Sequence, residues 1–150
     1  MQIQDQPSKD YLIVQVGAER YAVPGAAIRE VARWRPPTPV PGAPPALPGI
    51  ISQRGVVLPA VDMRHLLGLA AAEPDRAARF VIIRQDQADV ALMVDAALDH
   101  CQLTGDDLAR PPAGLDAQRA RLLGAVAQHE GQPLLVIDLA ALLAALQEGA

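Results

Sequence analysis

A mainly β fold is predicted for this chain by three observations. Short apolar, β-favouring runs alternate with glycine-centred or polar turns. From Pro36 to Pro48, the prolines at 36, 37, 39, 41, 44, 45 and 48 remove backbone donors and fix φ, so the middle of the chain is an extended connector rather than a helix. Thirdly, the chain resembles itself. Gly49-Ile-Ile-Ser-Gln, a turn, Val57-Leu-Pro-Ala-Val-Asp62 and Met63-Arg-His-Leu-Leu67 match Gly124-Ala-Val-Ala-Gln128, a turn, Leu134-Leu-Val-Ile-Asp138 and Leu139-Ala-Ala-Leu-Leu143. Glycine and aspartate are 13 positions apart in the first copy and 14 in the second, a difference a turn can absorb. Two copies are too few for a solenoid and imply two similar β-subdomains around one core.

The elements follow in order. Tyr11 to Val16 and Arg20 to Pro24 flank Gly17-Ala18-Glu19 as a hairpin. Ile28, Val31 and Ala32 stand at helical spacing behind Pro24 and Gly25, which predicts a short helix or irregular turn over Ala26 to Arg33. Gly49 to Ser52 and Val56 to Asp62 form a second strand pair around Arg54-Gly55, with Gly49 allowing close backbone packing and Gly55 at the turn. Asp62 caps a short helix, Met63 to Leu67, that ends at Gly68. Beyond a linker, Ala70 to Ala78, come a third hairpin (Arg79 to Gln85 and Val90 to Val94) and a strand from Leu98 to Leu103. Gly105 to Gln118 reads as loop; Leu123 to Gln128 and Leu134 to Ile137 pair, and Asp138 caps a closing helix. The domain reading is a polar leader, 1–9, then one domain, 10–146, with subdomains at 10–69 and 79–138 and a closing helix at 138–146.

Composition narrows the function. The chain has 150 residues and a net charge of −4, which argues against binding nucleic acid or anionic lipid through unspecific charge. Aromatics are 3% of residues, and Tyr11, Tyr21, Trp34 and Phe80 are scattered, so there is no row of rings for base stacking. The single cysteine, Cys101, excludes an internal disulfide. No apolar run reaches the roughly 18 residues a spanning helix needs, and the leader lacks a signal-peptide core. The expected location is the cytoplasm, with no membrane insertion.

Catalytic material is sparse. There is no G-x-S-x-G elbow, Walker loop, H-E-x-x-H or C-x-x-C, and His65, His100 and His129 are far apart in sequence. No catalytic, metal or cofactor site is expected. Three residue groups keep alternatives open: Asp62 with His65, three apart on a helix, for hydrolysis; His100 beside Cys101 for a tuned thiolate; and Arg33 to Pro39, which fits an R-x-x-P-x-x-P ligand. The competing readings are an N-cap for Asp62, inert packing for Cys101 and a structural connector for the prolines.

A family resemblance adds to this. I-R-E-V (28–31), T-P-V-P (38–41), G-I-I-S-Q-R-G (49–55), V-V-L-P-A-V-D-M-R (56–64), A-L-M-V-D (91–95), P-P (111–112), L-L-G-A-V-A (122–127) and L-L-V-I-D-L-A-A-L-L (134–143) are collinear with the CheW-like chemotaxis coupling domain, which the chain resembles from about residue 10 to 146. The resemblance implies two intertwined five-stranded SH3-like barrels with a hydrophobic groove between them. It further implies a non-enzymatic adaptor joining chemoreceptor cytoplasmic tips to the regulatory domain of a CheA-type histidine kinase, recruited to membrane-associated receptor arrays. Ile28, Glu30 and Val31 match the family's V-x-E-I segment, and Arg54 the arginine of its N-L-R-G turn. These four are the candidate partner-binding residues: apolar anchors at Ile28 and Val31, charges at Glu30 and Arg54 that set register. Ser52 and Gln53 replace the family's asparagine and leucine, which leaves a pilus-motility or other chemosensory system as an alternative to flagellar chemotaxis.

Overall fold

The computed structural model describes residues 7–148. Among these residues ten strands occur: β1 (Lys9–Val16), β2 (Glu19–Pro24), β3 (Ile28–Arg33), β4 (Gly49–Gln53), β5 (Val56–Asp62), β6 (Arg79–Gln85), β7 (Ala88–Val94), β8 (Ala96–Leu103), β9 (Leu123–His129) and β10 (Gln132–Ile137). Among the described residues the α-helices are α1 (Met63–Leu66), α2 (Ala117–Ala120) and α3 (Leu139–Gln147), the last following β10. Residues 1–6 of the expected leader lie outside the described residues, and Lys9 is already paired, opposite Leu103 in β8.

The strands form two five-stranded sheets, β8-β1-β2-β10-β9 and β3-β6-β7-β5-β4. Each curls into a barrel. Leu103 of edge strand β8 meets Ala125 and Ala127 of the opposite edge, β9, in one interior cluster; Ile51 of β4 meets Ala32 of β3 in the other. The main chain completes the closure: Thr38 and Ile50 exchange backbone hydrogen bonds of 2.8 and 2.9 Å in the second barrel, as do Ala109 and Val126 in the first.

The barrels do not follow the sequential halves 10–69 and 79–138. Those halves are the two repeats, and each gives its first hairpin to one barrel and its next three strands to the other. The parallel pairs β10 with β2 and β5 with β7 seal the exchange. Hairpin strands are therefore buried on both faces: Tyr11 and Ile13 point into the first barrel, while Leu12, Val14 and Val16 enter a core shared by both. That central core also holds Tyr21, Leu92, Met63, Leu122 and Leu142. At about 1.5–3 kcal/mol for each large buried apolar side chain, it binds the barrels into one folding unit.

Two local expectations are corrected. Ala26 to Arg33 is not helical: a 3-10 turn at Gly25–Ala27 leads straight into β3. A register shift between Ile28 and Glu30 places Ile28 opposite Ile83 and Val31 opposite Val81, on one face. Apolar residues three apart on a bulged strand thus mimic helical spacing. Nor does a turn absorb the one-residue difference between the repeats. Gln53 pairs with Val56 and His129 with Gln132, so both turns have two residues. The extra residue is Gly124 itself, bulged out between the Leu123–Ile137 and Ala125–Val136 pairs. The counterpart of Gly49 is therefore Ala125.

Both aspartates cap their helices. Asp62 Oδ1 accepts from the His65 amide at 3.2 Å and Asp138 Oδ1 from the Ala141 amide at 3.1 Å. Gly49 is required sterically, since a Cβ there would overlap the Thr38 carbonyl oxygen and lie 2.7 Å from its carbon. Gly55 is required by its φ of +80°, with open space around it.

Candidate protein-binding site

Edge strands β3 and β4 meet at the mouth of the second barrel, and a polar network joins them. Glu30, which faces that barrel, accepts from Arg54 Nε at 3.0 Å on Oε1 and from Arg54 Nη2 at 3.1 Å on Oε2. Gln53 Nε2 donates to Glu30 Oε2 at 3.0 Å, and Arg35 Nη2 donates to Gln53 Oε1 at 2.9 Å and to the Ser52 carbonyl. The Arg35 guanidinium also lies 5.8 Å from the Phe80 ring centroid. Hydrogen bonding from Arg54 holds the Glu30 carboxyl below its ordinary range against partial desolvation, with Gln53 adding in the same direction. Glu30 in turn raises the Arg54 guanidinium.

The network fixes Arg54 without hiding it. Its side chain is 77% exposed and that of Glu30 24%. Arg54 (φ 52°) and Gly55 (φ 80°) carry the positive φ pair of a type I′ hairpin turn. Glu130 and Gly131 share that geometry, so the turn alone belongs to the fold. Val56 and Val57, beside the turn, are 52% and 62% exposed. An oriented cation flanked by exposed apolar side chains is a suitable surface for a protein partner.

Ile28 and Val31 lie apart from this network, on the opposite face of β3. They line a groove of about 790 Å³ between the barrels, with Tyr11 and His100 on its other wall. Ile28 packs partly against the central core, and Val31 is 41% exposed. The four sequence candidates thus fall on two surfaces, a charged hairpin tip and an inter-barrel groove. Sequence reasoning missed Arg35, Val56 and Val57, and noted Gln53 only as a departure from the family pattern. The available signal was the Arg33-Trp34-Arg35 run leaving an edge strand.

A second ion pair spans the barrels. Arg64, in α1, donates to Asp95 from Nε at 3.1 Å and from Nη2 at 2.7 Å, while Asp95 Oδ2 accepts from the Gly17 amide at 2.8 Å. Asp95 sits where the chain passes from β7 to β8, so the contact ties that crossing to the first hairpin.

Of the residues in the catalytic alternatives, Asp62 and His65 meet only through the helix cap, the Asp62 carboxylate accepting from the His65 backbone amide at 3.2 Å. The Asp62 carboxylate is engaged as a cap, and Asp62 and Cys101 belong to different sheets. Burial pushes the Cys101 thiol up, and Asp99 and Asp107 push it further, which opposes thiolate formation. Among the described residues no group of three or more His, Cys, Asp or Glu could hold a metal ion, and no helix is long and apolar enough to cross a membrane. The proline segment is built into the second barrel through Arg35, the Thr38 bridge and Trp34, which packs against the barrel interior.

Two barrels fused through one core, with an exposed charged hairpin and an apolar groove, define a scaffold-type binding domain. Residues 10–147 match the model of the CheW-like domain. The chain belongs to the CheW-like adaptor family. It is 33% identical over 132 residues to the chemotaxis protein CheW of Rhizobium meliloti, covering 87% of this chain and 84% of that protein. It is 29% identical over 132 residues to CheW of Bacillus subtilis, covering 88% and 85%. Among solved structures, the scaffolding protein TtCheW of Thermoanaerobacter tengcongensis superposes with a TM-score of 0.81 at 19% identity, over 93% of this chain and 90% of that one, which shows the shared fold.

Proposed function

We propose that this protein is a non-enzymatic adaptor that couples chemoreceptor cytoplasmic tips to the regulatory domain of a CheA-type histidine kinase, in the cytoplasm at receptor arrays. Family membership sets the class, and the observation that carries the reading is the hairpin tip of the second barrel. There Glu30 and Gln53 hold Arg54 in a fixed orientation, yet most of its side chain faces solvent beside Val56 and Val57. A salt bridge this exposed contributes little to folding. Its orientation of a cation suits docking, where a rim charge selects the partner and speeds encounter. Ile28 and Val31 in the groove supply the second, apolar surface, which allows two partners to be held at once.

The test is capture from native cytosol on the folded protein, beside Arg54→Asp, with identification by mass spectrometry. The proposal expects a histidine kinase or a chemoreceptor on the wild type and its loss from the variant. Recovery of neither by the wild type would remove the adaptor reading.

A further inference from the structure

A cleft at the far end of β3 from the Pro24 turn is lined by Arg33, Trp34, Asp75, Arg76, Ala78 and Arg79 and has a volume of about 540 Å³. Arg33 and Arg79 stand directly opposite each other across β3 and β6. Like charges at such a position destabilise a sheet. One carboxylate, Asp75, shares the cleft but pairs with neither. None of Arg33, Arg76 and Arg79 is in an ion pair among the described residues. The acid at the rim, Asp75, accepts from its own loop at the Ala77 amide, at 2.8 Å. Arg79 Nη1 is anchored on the carbonyls of Arg76 and Ala78 at 2.7 and 2.8 Å. The Trp34 indole Nε1 is buried without a hydrogen-bond partner.

The other barrel provides an internal control. Aligning the barrels by their ladders makes Gln102 the counterpart of Arg33 and Asp10 that of Arg79. There the cross-strand pair satisfies itself, Gln102 Nε2 donating to Asp10 Oδ1 at 3.0 Å. The fold therefore does not require two arginines at this position.

We infer that the Arg33, Arg76 and Arg79 cleft around Trp34 is a docking site for an acidic, carboxylate-bearing peptide segment of a partner protein. Guanidinium forks match carboxylates in pairs, and a bound anion would relieve the Arg33–Arg79 repulsion. The cleft is far larger than a single inorganic anion, and arginine with tryptophan is the combination that anchors protein interfaces. The inference does not rest on the kinase or receptor assignment, nor on Arg54.

Trp34 is the only tryptophan in the chain, so its emission reports on this cleft and on the barrel interior it packs against, and the arginine variant separates the two. The experiment titrates the full-length protein with an oligoglutamate peptide, with oligoglutamine and with inorganic phosphate, following Trp34 fluorescence and, in parallel, calorimetry. It is repeated with Arg33→Gln/Arg76→Gln, both exposed positions, with circular dichroism to verify the fold. Expected are saturable binding of oligoglutamate, weakened about tenfold or more in the variant and by added salt, and no binding of oligoglutamine. Absence of oligoglutamate binding by both methods, or equal affinity in the folded variant, would overturn the inference. Phosphate binding as tightly as the peptide would overturn the peptide assignment.

Discussion

At the mouth of the second barrel Glu30 meets Arg54; at the matching place in the first barrel, Asp99 and Glu130 share a cleft of about 180 Å³ with Arg20 and His129. The correspondence comes from the ladders: Glu30 pairs with Ile82 as Asp99 pairs with Ile13, and Arg54-Gly55 and Glu130-Gly131 are the two-residue turns of equivalent hairpins. One barrel fixes an outward-facing cation with a carboxylate and two further hydrogen-bonding side chains. The other has two acids, a histidine and an arginine there, with His129 Nε2 3.9 Å from Glu130 Oε1 and Asp99 Oδ1 accepting from its neighbouring His100 amide at 2.8 Å. The same backbone thus carries the carboxylate–guanidinium network between edge strand and turn once and not twice, so the barrel itself does not require that network. The closing bridges differ as well: Thr38 approaches Gly49 too closely for a side chain, whereas the counterpart of Gly49 is Ala125.

That closure difference gives the largest expected effect. Gly49→Ala should destabilise by about 2–3 kcal/mol, because the new Cβ overlaps backbone and forces the Thr38 bridge apart. Gly124→Ala, whose Cβ would meet only the Asp138 Cβ at 3.6 Å, should stay within about 0.5 kcal/mol in the same urea unfolding assay. Next comes the tie between the barrels. Asp95→Ala leaves the Gly17 amide and Arg64 without their acceptor and should cost about 1–2 kcal/mol, with hydrogen exchange rising first at Gly17. The helix caps test the repeat itself: Asp62→Ala and Asp138→Ala should each lose about 1 kcal/mol, and a similar loss at the two sites would show equivalent caps.

The smallest effect is electrostatic. Arg54 lowers the Glu30 carboxyl, so the folded state favours its ionised form. The resulting stabilisation is present above the ordinary glutamate range and is lost as pH falls through the lowered folded-state value. At neutral pH it is fully in place. An NMR titration should find Glu30 titrating below the ordinary range, and Arg54→Gln should return it most of the way.

Much of this architecture was legible in the sequence because apolar runs and turn residues report directly on strands, and because two repeats raise the same pattern twice. Asp62 and Asp138 each precede a Leu-Leu helix, and both accept the expected amide. β3 was illegible because its bulge gives Ile28 and Val31 helical spacing. The crossing of hairpins between barrels was illegible from pattern alone, since Leu12 and Ile13 are equally apolar and nothing in a sequence states which barrel each faces. At the site, Glu30 and Arg54 came from family likeness, while their direct pairing needed coordinates because 24 residues separate them. Arg35 was hidden within a proline motif, and Val56 and Val57 looked like ordinary strand residues until their exposure was known.

The most direct test of the adaptor surface measures affinity for a purified CheA-type regulatory domain and for a receptor-tip fragment, comparing wild type, Arg54→Asp and Glu130→Arg. The account predicts that at least one partner binds the wild type, weakens about tenfold or more with Arg54→Asp, and is unaffected by Glu130→Arg, with all three proteins folded. Equal binding of both partners by wild type and Arg54→Asp, or equal losses from the two substitutions, would contradict it.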